Sequence, residues 1–469
     1  MLGISVGKPS NPLPGQLWLR IGILAALTTA GFAVLAVSAI RGSLAGSYSA
    51  VLLALPVLAI LIASGLRPAP GVGDTEFDWI VAAVIGATGF LAVALLSQRL
   101  PSIAGLWNWS HFGPVVWAMA AGTVLFSARH VLRLWRVWLF VLCLVPATPF
   151  LLFTAALGGT ENSAVLAGGV VGAIAVYLAT STVGLSWRLL AAVVDLGVAT
   201  GLGHLLGGLA LVPRMAVVAG AVPVLSVAAV RWANHVRLAP SLAAHPARGS
   251  AGMPPVGARS YGVLGILAAV LVALSPPVSN AQPLVLADRD WIDRMGLVPV
   301  ADFGFIRLFL GPEASLTRYV MPGNTDPAVA IDVISAPNLA RLADYSDAVW
   351  YPSAVPVNHR RADVGETIGL GARSVHSDPD TVGGDGNWYA LSWLWRTDPG
   401  YQQVIVAVDQ DLSAQRRPPI PEPLTWTNSL LSPMLWLTRQ QPPPSGAAPK
   451  KVVRTADEVA RQIIEAGTA

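Results

Sequence analysis

The chain has 469 residues, of which 54% are hydrophobic and only 12% charged, and it carries a net charge of +4. A water-soluble protein is about 25% charged, so most of this chain is not built for water. The basic residues Arg129, Arg133 and Arg136, and then Arg231, Arg237, Arg248 and Arg259, flank apolar runs, a membrane-topology pattern that leaves no reason to expect nucleic acid as a partner.

Residues 1–17 hold Pro9, Pro12 and Pro14 and read as a disordered lead-in without a signal-peptide cleavage pattern. A bilayer core needs roughly 20 apolar residues per helix. By that measure residues 18–232 hold about eight candidate spans, near 18–40, 49–66, 78–97, 112–126, 134–156, 164–186, 189–211 and 215–231. A linker rich in Ala, Pro, Gly and Arg covers 233–259, and a last apolar segment covers 260–277. The sequence thus predicts a polytopic all-α membrane block of about eight or nine transmembrane helices. Ser279-Asn280-Ala281 after Pro276-Pro277 resembles an internal signal peptide, read here as an uncleaved anchor. With the N-terminus inside and nine spans, both arginine clusters fall in the cytoplasm. The C-terminal domain then falls outside the plasma membrane.

Residues 283–440 are expected to form a small α+β extracytoplasmic domain. Ser315 to Pro322 and Ala328 to Ser335 suit strands, and Asn338 to Tyr345 has helical spacing. Trp388 to Trp395 and Tyr401 to Asp409 read as a strand pair joined by Thr397-Asp398-Pro399-Gly400. Leu424 to Leu437 reads as an amphipathic helix that would lay Trp426 and Trp436 on the membrane or the domain. The tail, 441–469, is a linker followed by a helix over Thr455 to Ala466. Lysine is confined to Lys8, Lys450 and Lys451 while arginine is abundant, a bias that suggests a GC-rich bacterial genome.

Ionisable residues inside a membrane segment are costly and become functional candidates. Here they are Asp195 and His204 of the seventh span. Nine residues of helix separate them by about 13 Å, so they cannot touch. They read either as lining a transport path, or as an Asp195 paired with a neighbouring helix and a His204 near the outer surface. Cys143, the lone cysteine, excludes an intramolecular disulfide and a cysteine-based zinc site. It sits within an apolar run and is expected to be a small buried hydrophobe.

The stretch Trp107-Asn108-Trp109-Ser110-His111-Phe112-Gly113-Pro114, then Trp135-Arg136-Val137-Trp138, Pro146 with Pro149, and Glu161-Asn162-Ser163-Ala164 resemble the exosortase/archaeosortase family. Those are membrane-embedded, transpeptidase-like proteins of the bacterial envelope. Where the family places its cysteine nucleophile this chain has Glu161-Asn162-Ser163-Ala164, and the family's arginine element after the next span is not recognisable. The resemblance implies a catalytic set of His111, Glu161 and Ser163, working without a cysteine if it works at all. The second half, through Ser315-Leu316-Thr317-Arg318-Tyr319, Ile331-Asp332-Val333 and Asp347-Ala348-Val349-Trp350-Tyr351-Pro352-Ser353, resembles the exported domain that accompanies exosortases. Trp350 stands where that domain has its cysteine. By that likeness Arg318, Tyr319, Trp350 and Tyr351 become candidate binding residues.

Elsewhere in the domain Asp347, His359, His376 and Asp378 could suggest acid–base or metal chemistry, and Asp378, Asp380, Asp385 and Asn387 supply calcium-type oxygens without the loop spacing calcium needs. A solvated turn is the simpler reading, so no metal and no cofactor are expected. Tyr351, Trp388, Trp393 and Trp395 would make a carbohydrate or peptide platform only if exposed together. Three functions follow from this sequence: an envelope accessory or scaffold handling exported proteins or surface polysaccharide, a divergent exosortase-type transpeptidase or protease, and a transporter.

Overall fold

The computed structural model describes residues 14–66, 75–238, 256–275, 284–322, 327–353, 355–362, 371–377, 387–412, 418–439 and 447–468. Asp378, Asp380, Asp385 and the Ser279-Asn280-Ala281 segment lie outside the described residues, as do 1–13 and most of the 233–259 linker. The first helix, Pro14–Gly31, begins inside the expected lead-in.

Helix occupies every segment expected to span. Among the described residues four helices are long and apolar enough to cross a membrane: Thr75–Arg99, Glu161–Ala179, Leu185–Leu205 and Leu211–Asn234. The number rises to six if each bent pair counts as one span, Gln16–Gly31 with Ala33–Leu44 (82°) and Trp135–Leu144 with Ala147–Ala156 (64°). These helices mark the chain as a membrane protein. Among the described residues the expected count of eight or nine is not confirmed, since Tyr48–Ser64, Phe112–Phe126 and Ala258–Leu274 are shorter than the roughly 20 residues a bilayer core needs. Pro146 explains the second bend, since it lacks the N–H that would carry the helix through.

The helices form two packed groups. Pro14–Gly31, Thr75–Arg99, Phe112–Phe126 and Ala258–Leu274 meet around Trp117, Leu125 and Leu264. The others close around Glu161–Ala179, whose Gly168, Gly169 and Gly172 let Met215, Ala199 and Pro223 of neighbouring helices approach. Small residues are what close helix packing in lipid requires. The outward surface is apolar instead, as Leu189, Leu190, Val193, Val194 and Val198 show on Leu185–Leu205. Cys143 belongs to that outward surface. The Trp135–Leu144 helix turns Val137, Phe140 and Val141 inward, and Cys143 is exposed beside Leu139 and Leu142, correcting its expected burial.

The second half builds a seven-stranded antiparallel sheet from β1 (Val298–Asp302), β2 (Ser315–Val320), β3 (Val329–Ala336), β4 (Arg360–Arg361), β5 (Arg373–His376), β6 (Trp388–Arg396) and β7 (Tyr401–Asp409), in the order β1-β2-β3-β7-β6-β5-β4. Strands β2, β3, β6 and β7 and the Leu339–Asp344 helix fall where the sequence predicts them, while β1, β4 and β5 lie outside the expected strands. Both faces of the sheet are covered, which is why β3 and β7 are buried almost throughout. Helix Lys450–Thr468 lays Val452, Val459, Ile463 and Ile464 on one face, against Ile331, Trp393, Trp395 and Val406. The other face, with Leu316, Ile334, Ile405 and Trp388, joins one continuous core with the helical block. Trp388, Trp393 and Trp395 are therefore interior side chains and form no exposed platform.

Candidate functional site

The sheet domain rests on the helical block through two polar clusters. In the first, Glu161 opens helix Glu161–Ala179 and faces two arginines. Arg341 Nη2, on the Leu339–Asp344 helix, is 2.6 Å from Glu161 Oε1, and Arg214 Nη1 is 3.8 Å from Oε2. The Arg341 guanidinium also lies over the Tyr48 ring at 4.8 Å. Tyr48 Oη donates to the Gly159 carbonyl at 2.8 Å. Gly159 has φ +67, and a Cβ there would strike the Leu308 backbone, so the turn before Glu161 needs glycine twice over. Asp344 accepts from Ser47 Oγ at 2.5 Å and from the Tyr48 N–H at 2.9 Å. Burial nonetheless pushes the Asp344 carboxyl up to about 6, against the pull of those donors.

The second cluster centres on the short Pro101–Leu106 helix. His359 donates its backbone N–H to Ser102 Oγ at 2.7 Å, and its Nδ1 is 3.1 Å from the same hydroxyl. The hydroxyl accepts from the N–H, and its own proton can be donated to Nδ1 in the tautomer that carries the ring proton on Nε2. Burial, reinforced by the Arg373 charge and only partly opposed by Asp347, brings the His359 imidazole down to about 4. It is therefore neutral at physiological pH and able to accept. Arg373 Nη1 pairs with Asp347 Oδ1 at 2.6 Å. Gly105 packs against the Asp347 carboxylate, where a Cβ would collide with it. Trp107 Nε1 adds a bond of 2.8 Å to the Ser429 carbonyl.

Between this cluster and the sheet domain lies a cleft of about 370 Å³. Ser102, Ile103 and Leu106 form its wall on the helical side, and Asp347, Tyr351 and Asn428 are among the residues opposite. Its lining mixes apolar side chains with hydroxyl, amide and carboxylate groups, as a site for an extended peptide or a sugar chain would.

Beneath the cleft Arg318, Asp332 and Tyr351 form a buried triad. Arg318 Nε and Nη2 each donate to an Asp332 oxygen at 2.7 Å, and Tyr351 Oη donates to Asp332 Oδ2 at 2.6 Å. The guanidinium also reaches the carbonyls of Pro418 and Pro419. Burial and then the Asp332 carboxylate hold the Tyr351 hydroxyl well above its ordinary range, so it stays a donor.

The candidate residues read from the sequence are thus distributed as follows. Arg318 and Tyr351 come together through Asp332, all three enclosed in protein. Trp350 is buried 5.4 Å from the Phe309 ring, in an aromatic cluster with Phe305 and Tyr345. Tyr319 is on the opposite face of β2, half-buried under the covering helices. Thr160 caps the Glu161–Ala179 helix by accepting from the Ser163 N–H, and the Ser163 hydroxyl donates to the Leu157 carbonyl at 2.8 Å. His111 lies in the Trp109–His111 turn with Nδ1 3.2 Å from the Asn108 carbonyl, and no hydrogen bond joins it to Ser163. Glu161 binds arginines rather than either of them. His376 Nδ1 is 3.0 Å from the Ser377 carbonyl. Among the described residues no group of acidic, histidine and cysteine side chains is placed to hold a metal ion. Comparison with family models, with curated proteins and with solved structures gives no match to the chain.

Ser102, Asp344 and Arg373 carried no signal in the sequence. Ser102 and Asp344 acquire partners across the junction of the two halves, Ser102 from a residue 257 positions away, while Arg373 pairs with Asp347 inside the sheet domain.

Proposed function

We propose that this is a multi-pass protein of the bacterial plasma membrane, its N-terminus cytoplasmic and its sheet domain extracytoplasmic, that serves as an accessory or scaffold in the export, sorting or assembly of surface proteins or exopolysaccharide. The exosortase-like character of both halves motivates the reading. The observation that carries it is the cleft of about 370 Å³ enclosed jointly by Pro101–Leu106 and the sheet domain. A substrate emerging beside the helical block would meet both halves at once there. The test is a deletion strain complemented by full-length protein, by a Ser353→Trp variant that fills the cleft, and by a Ser163→Ala/His111→Ala double variant. Rescue of surface polymers or exported proteins by the double variant, but not by the filled cleft, supports the scaffold. Rescue by the filled cleft overturns it.

One observation favours a second reading, a cysteine-independent transpeptidase or peptidase. It is the Ser102 hydroxyl on the cleft wall, 3.1 Å from a neutral His359 Nδ1. In that reading Ser102 Oγ attacks a substrate carbonyl carbon and its proton passes to Nδ1 and on to the departing amine. Water or a second amine then releases the acyl group. A fluorophosphonate probe would label Ser102 and lose the label in Ser102→Ala. An unlabelled wild-type protein removes this reading.

A further inference from the structure

Asp195 sits halfway along Leu185–Leu205, wholly enclosed at 0% exposure. Its Oδ1 accepts from Ser226 Oγ of the neighbouring Val222–Leu238 helix at 2.6 Å, while its Oδ2 is buried without a hydrogen-bond partner. No ion pair neutralises it among the described residues. An ionised carboxylate inside an apolar bundle is costly by several kcal/mol unless a positive charge accompanies it.

The backbone beside it is irregular as well. Ala216–Ala221 forms a π turn, and its closing bond runs from the Val222 N–H to the Val217 carbonyl. The next carbonyl in that register, Val218, would need the N–H of residue 223, and Pro223 has none. Val218 O and Asp195 Oδ2 both lie near the point where a side chain at Gly172 would begin, at 3.5 and 3.6 Å, with the Pro223 ring closer still, its Cγ 2.7 Å from that point. A bare carboxylate oxygen and the Val218 carbonyl of a π turn thus converge beside Gly172 and Pro223, with a serine hydroxyl on the other carboxylate oxygen. Such turns interrupt helices at functional sites, and freed carbonyls in broken membrane helices coordinate small cations.

We propose that Asp195, Ser226 and the Val218 carbonyl bind a single monovalent cation, Na⁺ or a proton, within the helical block. The shared chemistry is one positive charge held by the Asp195 carboxylate. The described charged and titratable side chains on the elements packed around it all lie elsewhere. Glu161 is engaged by Arg214 and Arg341, Arg188 lies over the Tyr177 ring, Arg231 bonds Ser64, and His204 is exposed at the helix end. The cation site is independent of the cleft and of the proposed function.

The experiment uses full-length protein in detergent, with Asp195→Asn and Ser226→Ala beside the wild type. Melting is followed against Na⁺, with K⁺ and choline as controls, and against pH. Labelling of Asp195 by a hydrophobic carbodiimide is mapped in parallel. If the occupant is Na⁺, wild-type melting rises by roughly 5 °C near saturation, Na⁺ protects Asp195 from the carbodiimide, and Asp195→Asn loses both effects. If the occupant is a proton, labelling rises on acidification with no Na⁺ protection, and the wild-type pH response of melting is absent in Asp195→Asn. Identical responses of wild type and Asp195→Asn to both Na⁺ and pH, with Asp195 unlabelled throughout, overturn the proposal and leave Asp195 and Ser226 as a helix-packing pair.

Discussion

Arg341 of the sheet domain meets Glu161 of the helical block at 2.6 Å, although 180 positions separate them. Glu161 is the sole carboxylate paired with both Arg341 and Arg214 among the described residues. Arg214 is the more deeply enclosed of the two, at 2% exposure.

That arrangement makes the two halves of the pair unequal. Arg341→Met leaves Glu161 with Arg214 and partial access to water, and should loosen the junction by about 1 kcal/mol. Glu161→Gln strands two arginines against each other and should cost more, about 2–3 kcal/mol. Thermal unfolding of the single variants and of the double variant checks this. Equal costs would show that Arg214 finds its compensation elsewhere.

The triad under the cleft should be less forgiving. Asp332→Asn leaves the enclosed Arg318 without its counter-ion, and the expected loss is about 3–5 kcal/mol. Tyr351→Phe removes one hydrogen bond and should cost about 1–2 kcal/mol. Replacing Arg318 and Asp332 together by apolar residues should recover part of the single-variant loss. Denaturation of the full chain in detergent provides the measurement.

Two groups at the junction respond to pH with opposite signs. His359 falls from 6.5 to about 4 in the docked state, so its contribution is complete above 6.5 and is lost as pH falls through about 4. Asp344 rises from 3.8 to about 6, so its contribution is complete below 3.8 and is lost as pH rises through about 6. Between pH 4 and 6.5 the two oppose each other, and wild-type docking should change little. His359→Gln should leave docking that strengthens on acidification, and Asp344→Asn docking that weakens. Protease protection of the sheet domain across that range reads both slopes.

Removing Lys450–Thr468 should be the most damaging truncation of the sheet domain. It uncovers Ile331, Val333, Trp393, Trp395, Val404 and Val406 together. An apolar face of that kind in water leads to aggregation or degradation. Chain lacking 447–469 should fail to accumulate with a protease-resistant sheet domain.

Strands β2, β3, β6 and β7 and the Leu339–Asp344 helix were legible because their signal is local, whereas β1 and the short β4 and β5 were not. Period-two alternation and cap residues sit within a few positions of one another. Asn338, for instance, caps that helix by accepting from the Ala340 N–H. The number of spans was less legible, since apolar composition does not say where Pro146 bends a helix or where the 82° turn after Gly31 divides one. Part of the triad was also within reach, because Arg318 and Tyr351 stand out as candidates in their segments, with Asp332 in the strand between them. The Ser102–His359 contact was not, because an isolated serine on a short helix reads as ordinary until the fold brings its partner. Cys143 misled for a related reason: in a membrane protein an apolar run faces outward as readily as inward.

The order of the strands has a consequence for how the chain assembles. The central pair of the sheet is β3 with β7, so β4, β5 and β6 must all be made before the middle can close. The Lys450–Thr468 helix that seals the outer face comes later still. Long-range pairing of this kind is slow. Arg318, only 14 positions before Asp332 on the adjoining strand of a hairpin, can meet that carboxylate while the rest is still being synthesised. The nascent domain therefore neutralises its innermost charge early, and leaves the exposed apolar faces as the hazard of the waiting period.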